Sequence, residues 1–192
     1  MGLRERLVSF ARYFGAQLVR QNKNQAAKGA RSVSAKNSPP AGSRSHFPAP
    51  SAPPLQWNIG KYGLPALRYT PDNDSLPDPG EIVWTWVPYE EMDGRGKDRP
   101  VLVVSMQEEY IFFVQMTSKD HAPGQLYQDE YERWWLDIGT GNWDSHGRPS
   151  EARLDLLWVV HQSQIRRVGG KLNREMYLLL TKALRKIHNV RS

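Results

Sequence analysis

Apolar residues along this chain fall mostly at the spacing of strands. Glu81 to Pro88 (EIVWTWVP) is rich in β-branched and aromatic side chains, Val101 to Val104 is a short apolar run, and Tyr110 to Met116 (YIFFVQM) is a third segment of the same kind. Trp134 to Ile138 predicts a further short strand, Arg153 to Val160 (RLDLLWVV) a buried one, and Gln164 to Val168 a last short one, after which Gly169 and Gly170 break the pattern. Near the C-terminus the period becomes helical. Met176, Leu179, Leu180, Ala183, Leu184 and Ile187 line one face of a helix from Arg174 to about His188, with Asn173 as its N-cap. That stripe is a core or interface surface, not a site. Short strands, long loops and one terminal helix describe a mainly β domain: a small, strongly bent antiparallel sheet or partly closed barrel.

The first 56 residues have a different texture. Leu3, Leu7, Phe10, Phe14 and Leu18 recur at spacings of three and four, with Arg4, Arg6, Arg12 and Arg20 off that stripe, so residues 1–20 predict a basic amphipathic helix. Packing on the domain, contact with an anionic membrane and contact with nucleic acid compete there with no role at all, since chain ends are poorly ordered unless tied down. Membrane contact is the weaker reading, because a myristoylation signal needs Ser or Thr where Arg6 stands. Residues 21–56, dominated by Ala, Ser, Pro, Gly, Lys and Asn, bury too little to offset their ordering entropy and read as a disordered linker. This leaves residues 57–190 as the domain, opened by a turn-rich lead-in from Trp57 to Pro79 that lies across it. With 39% hydrophobic residues in 192, one core is affordable and two are not.

Charge sharpens this division. The chain is +6 overall, but residues 1–56 carry nine Lys and Arg against one acid, and the remainder holds 17 bases against 19 acids, a net −2. RNA binding by the domain therefore needs a local basic patch. The absence of cysteine removes disulfides, thiolate metal sites and cysteine nucleophiles, and the five His residues show no ligand-like spacing, so neither metal nor cofactor is expected. No segment approaches the roughly 18 apolar residues of a bilayer span, and the N-terminus lacks the apolar core of a secretory signal; the expected location is cytoplasmic.

The chemistry concentrates where strands end. The charged loop from Tyr89 to Asp98 runs into Arg99-Pro100, and proline can open a strand but not sit in its middle, so Arg99 is expected at a strand entrance facing the loop. The third strand ends on Thr117, Ser118 and Lys119, and antiparallel neighbours would bring these beside Arg99. Tyr89 and Trp143, on loops, are candidates for stacking on bases, whereas Trp84 and Trp86 share one strand face and read as packing. His121 is a conceivable base but reads more simply as an exposed loop residue. Each choice has a plain alternative: Arg99 could pair with Glu90, Glu91 or Asp93, and Thr117 could merely end a strand.

Taken together, GEIVWTWVPYEEMDGRGKDRPVLVVS resembles the opening of the PemK/MazF family of toxins from type II toxin-antitoxin systems, whose pattern is a Gly-Asp/Glu-Ile-Val strand, a charged loop, then Gly-x-Arg-Pro and an apolar strand; here Gly80-Glu81-Ile82-Val83 and Arg99-Pro100 carry the likeness. FVQMTS resembles that family's third strand with its terminal Thr-Ser, Ser150 to Asn173 its last strands, and the lead-in and WLDIGTGNWDSHGRPS insertion those of longer actinobacterial-type members. The resemblance implies an SH3-like barrel, usually a homodimer, that cleaves single-stranded RNA without a metal and is neutralised by a cognate antitoxin. It implies attack by the ribose 2′-hydroxyl on the adjacent phosphorus, with Arg99 and Thr117 catalytic and Ser118, Lys97, Lys119 and Tyr89 binding substrate. An arginine fork and a hydroxyl donor suit a phosphate that gains charge in the transition state. The sequence departs from the family in one respect: where many members place a Glu shortly before Gly-x-Arg-Pro, this chain holds Asp93, Gly94, Arg95 and Gly96, and Glu90 and Glu91 lie further back. A non-catalytic SH3-like module that binds nucleic acid or peptide is the competing reading.

Overall fold

In the computed structural model, residues 46–72, 74, 76–91, 93–118 and 126–189 are described; the expected helix over 1–20, most of the linker, Lys119 and His121 lie outside them. The elements are β1 (Leu55–Gln56), α1 (Ile59–Tyr62), β2 (Glu81–Pro88), β3 (Gly96–Gln107), β4 (Tyr110–Thr117), β5 (Leu126–Gln128), β6 (Trp134–Gly139), β7 (Ser150–Arg153), β8 (Trp158–His161), β9 (Arg167–Lys171) and α2 (Arg174–Ile187). All strand pairs are antiparallel. β9, β2, β3 and β4 lie in that order; along its free side β4 pairs first with β8 and then with β7, which carries β6 and β5 outward.

Alternation along the strands gives the sheet two apolar faces. One carries Ile82, Leu102, Val104, Phe112, Val114, Leu136 and Ala152, and α2 covers it with Tyr177, Leu180 and Leu184, all at most 1% exposed. Burying each such side chain is worth roughly 1.5–3 kcal/mol, which makes the sheet, more than helix propensity, the reason α2 is stable. Asn173 caps α2 as expected, its Oδ1 accepting the Met176 N–H at 2.8 Å. The other face gathers Val83, Val87, Val101, Val103, Ile111, Phe113, Trp158 and Val160, with Val168 of β9 packed against them. Residues from β9, at one end of the strand order, and from β8, beyond β4 on the far side of β2 and β3, thus meet in one cluster. The sheet has curled into a small barrel, mainly β with one C-terminal helix, as the sequence implied.

Several boundaries differ from the sequence reading, each for a local reason. Pro100 lies within β3, opposite Trp84, and not at its start. It is tolerated because the ladder with β4 stops at Val101↔Gln115, leaving the strand one neighbour at that level. Arg153 to Val160 is two strands: between them Asp155 turns its carboxylate back to accept the Trp134 N–H at 3.1 Å and to take the Arg153 guanidinium. Gly169 and Gly170 do not break the last strand but continue it, and at Gly169 a Cβ would stand 3.2 Å from the Trp84 indole nitrogen. Packing also begins ahead of Trp57. Phe47 stacks on Tyr110 at 4.4 Å between ring centres, Leu55 and Gln56 pair with β8, and Trp57 itself is core. No described helix is long and apolar enough to cross a membrane.

Candidate active site

The polar residues of interest share a face, and strand register says which. In β2, Val83 and Val87 point into the barrel, so Thr85 does too; in β3, Val101 and Val103 fix the direction of Arg99. In β4, Ile111 and Phe113 fix that of Thr117. In β7 and β6 the neighbours Ala152, Leu136 and Ile138 belong to the helix side, so Glu151 and Asp137 face away from it. The pairings Thr85↔Arg99, Thr117↔Glu151 and Asp137↔Glu151 are direct. The β3–β4 ladder ends at Val101↔Gln115, so Arg99 and Thr117, each two residues beyond that last pair, share this face without being paired. Thr85 and Arg99 on β2 and β3, and Thr117, Glu151 and Asp137 on β4, β7 and β6, therefore present polar groups on one face, the cross-strand pairs about 5 Å apart.

Arg99 is the cation of this polar group, and it is held without being neutralised. Its guanidinium lies over the Tyr89 ring, 5.9 Å from the centroid. Its Nε is buried with no hydrogen-bond partner, and among the described residues it makes no ion pair. Of the acids nearby, Glu90 pairs with Arg153 and Arg133 and Asp93 with Arg95 at 2.6 Å; Asp98 lies 3.3 Å from Arg166, its Oδ1 buried with no hydrogen-bond partner, and Glu91 is exposed. Thr85 spends its hydroxyl on the Gln164 carbonyl at 3.1 Å, which fixes the strand opposite Arg99. A buried donor without an acceptor is costly, and a bound phosphate oxygen would satisfy it.

A second cation stands in the same region but is fully engaged. Arg153 on β7 is 7% exposed; its guanidinium takes Asp155 through Nε and Nη2 at 2.9–3.1 Å and Glu90 through Nη1. Burial alone would lower its pKa, but the hydrogen bonds and charges of Asp155 and Glu90 outweigh burial and hold it above its ordinary value. This network ties the loop carrying Tyr89 to β7, and Arg133 adds the β5–β6 hairpin to the same carboxylate at 3.0 Å. Asp129 organises that hairpin by accepting from Trp135 Nε1 and the N–H groups of Tyr131 and Arg133. These donors, Trp135 first, overcome partial burial and keep its carboxyl below the usual pKa.

Of the residues expected from sequence, Arg99, Thr117 and Tyr89 gather on this face. Ser118 follows Thr117 and is half-buried, and Lys97 is exposed on β3 two residues before Arg99, on its side of the strand. Trp143 corrects a reading: it is 8% exposed in the core beneath α2, donates its indole N–H to Ser150 Oγ at 3.0 Å, and offers no surface for a base. Sequence reasoning missed Glu151, Tyr127 and the Arg153–Asp155 pair. Charged residues inside an apolar strand pattern, at Glu151 and Arg153, were the available signal. Their partners come from distant loops and could not be read.

A small barrel with one helix and polar groups gathered on one sheet face is the class that fold and site define. The profile of the PemK-like, MazF-like toxins of type II toxin-antitoxin systems matches residues 78–188, and the chain belongs to that family. No curated protein matches it. Among solved structures it is similar to a mycobacterial endoribonuclease in complex with its cognate antitoxin, at 12% identity over 60% of this chain and 98% of that one, with a TM-score of 0.43. It is also similar to MazE-MazF from Deinococcus radiodurans, at 14% identity over 62% and 100% with a TM-score of 0.44. A third likeness is to the Mycobacterium tuberculosis toxin MazF-mt6, at 14% identity over 58% and 99% with a TM-score of 0.39.

Proposed function

We propose that this toxin-family protein is an endoribonuclease that cleaves single-stranded RNA by attack of a ribose 2′-hydroxyl on the adjacent phosphorus, using its own side chains and no metal. The observation that carries the reading is Arg99: a cation fixed on a strand, on the same face as Thr117, with a buried Nε still lacking an acceptor. Its fork binds a phosphate that gains negative charge as the 2′-oxygen adds, and the Thr117 hydroxyl donates to the same oxygens. Arginine is too weak an acid to give up a proton readily, so its role is electrostatic. Tyr89, Lys97, Ser118 and Lys119 bind the flanking nucleotides. A cognate antitoxin neutralises the protein, and the working form is a homodimer in the cytoplasm.

The test is incubation of the purified full chain with mixed-sequence single-stranded RNA in chelator, with Arg99→Ala alongside. Cleavage that the variant loses supports the reading. Intact RNA with verified folded protein overturns it in favour of a non-catalytic binding module, a role that the net −2 of the domain would then suit.

A further inference from the structure

Arg99 and Thr117 account for charge but leave the proton of the attacking hydroxyl without a destination. The loop acids are poorly placed to receive it: Glu90 and Asp93 are committed to arginines and Asp98 lies beside Arg166. Asp137 on β6 accepts the Gly139 N–H at 2.8 Å. Glu151 is different. It is cross-strand from Thr117, faces the same way, is only 4% exposed, and both its carboxylate oxygens accept from the Tyr127 hydroxyl, at 3.0 and 2.9 Å. Tyr127 is half-buried and comes from β5, where it pairs with Trp135.

We propose that Tyr127 and Glu151 form the proton relay of the site. The inference rests on the ribonuclease reading. As the 2′-oxygen bonds to phosphorus, its proton passes to Tyr127 Oη while the Tyr127 proton passes to Glu151. The bond from phosphorus to the 5′-oxygen then breaks, and that oxygen takes a proton from water. Glu151 afterwards returns its proton to solvent through Tyr127, restoring both groups. The arrangement explains why the carboxylate is buried: it never needs to touch the RNA, because the phenol reaches out for it. It also gives the β5–β6 hairpin a catalytic task, since that hairpin supplies Tyr127.

The experiment measures the pH dependence of kcat/KM on single-stranded RNA for the wild type, Tyr127→Phe and Glu151→Gln, with melting temperatures and binding of an uncleavable 2′-deoxy oligonucleotide as controls. Glu151→Gln can still accept the Tyr127 hydroxyl, so folding and binding should hold. A relay requires the carboxylate ionised, so wild-type activity should fall on the acid side. Both variants should lose at least about tenfold to a hundredfold in rate, in the range of general acid–base catalysis or just below it, and that acid limb should flatten. Wild-type rates and an unchanged acid limb in Glu151→Gln overturn the relay while leaving the ribonuclease reading intact. A defect confined to Glu151→Gln, with Tyr127→Phe unaffected, also overturns it, because the phenol is then no carrier. A wild type that leaves RNA intact overturns the underlying reading and the relay with it.

Discussion

Two stretches of the same sheet face lie only two to four residues apart along β2, β3 and β4 and obey opposite rules. Val83, Val101, Val103 and Phe113 fill the barrel and are fully buried, while Thr85, Arg99, Thr117 and Glu151 continue the same side of β2, β3, β4 and β7 as polar groups. The backbone does not distinguish the two stretches, since the strands run through both. Only the first gains its energy from leaving water. The second includes a cation with an unmet donor, an arrangement that costs stability unless a ligand completes it. The contrast marks the site more sharply than any single residue does.

Substitutions should separate the two stretches. The largest effect belongs to the apolar one: Phe113→Ala removes a fully buried ring and should cost about 3–5 kcal/mol, read from the midpoint of urea unfolding. Next comes Arg99→Ala, which should lower RNA cleavage by about a hundredfold to a thousandfold, the usual effect of losing a transition-state donor. Its stability should change by less than about 1 kcal/mol, because Arg99 makes no ion pair among the described residues. A reversal of that pattern would make Arg99 structural. Thr117→Val, of nearly the same shape, should cost about tenfold or more in rate, with the protein still folded by its melting transition.

The smallest expected effect tests a carboxyl outside the site. Glu81 is fully buried at the start of β2, and burial raises its pKa against the opposing Asp78 N–H and Lys171. The folded state therefore binds its proton more tightly than the unfolded chain does. The stability this contributes is complete below the ordinary value of 4.5 and is lost as pH rises through the folded pKa. Glu81→Gln should accordingly melt slightly higher than wild type at neutral pH, with the advantage gone in acid; a lower melting temperature at neutral pH would show that the Lys171 contact dominates.

Sequence patterns made the secondary structure legible where one rule governed. The Asn173 cap and the helical stripe to Ile187 needed no knowledge of the fold, and the β-branched run in β2 was equally direct. Pro100 and Gly169 were misread because their tolerance depends on what lies beside them: a ladder that ends, and an indole that needs room. In the site, Arg99 and Thr117 could be picked through the family resemblance, but Arg99 lies inside β3, which begins at Gly96, and not at the strand entrance expected of it. That they share one face follows from the alternation of β3 and β4. Tyr127 and Glu151 are 24 residues apart and meet only because β5, β6 and β7 fold back on one another. Trp143 looked like a loop aromatic and proved to be core, since a loop can lay its largest side chain under a helix.

The most direct measurement is the chemical identity of the ends produced when the purified protein cuts a defined single-stranded RNA in chelator. The account predicts a cyclic phosphate on the upstream fragment and a 5′-hydroxyl on the downstream one, and no cleavage where the attacking ribose is replaced by 2′-deoxyribose. A 5′-phosphate end, or undiminished cleavage at the deoxy position, would contradict it.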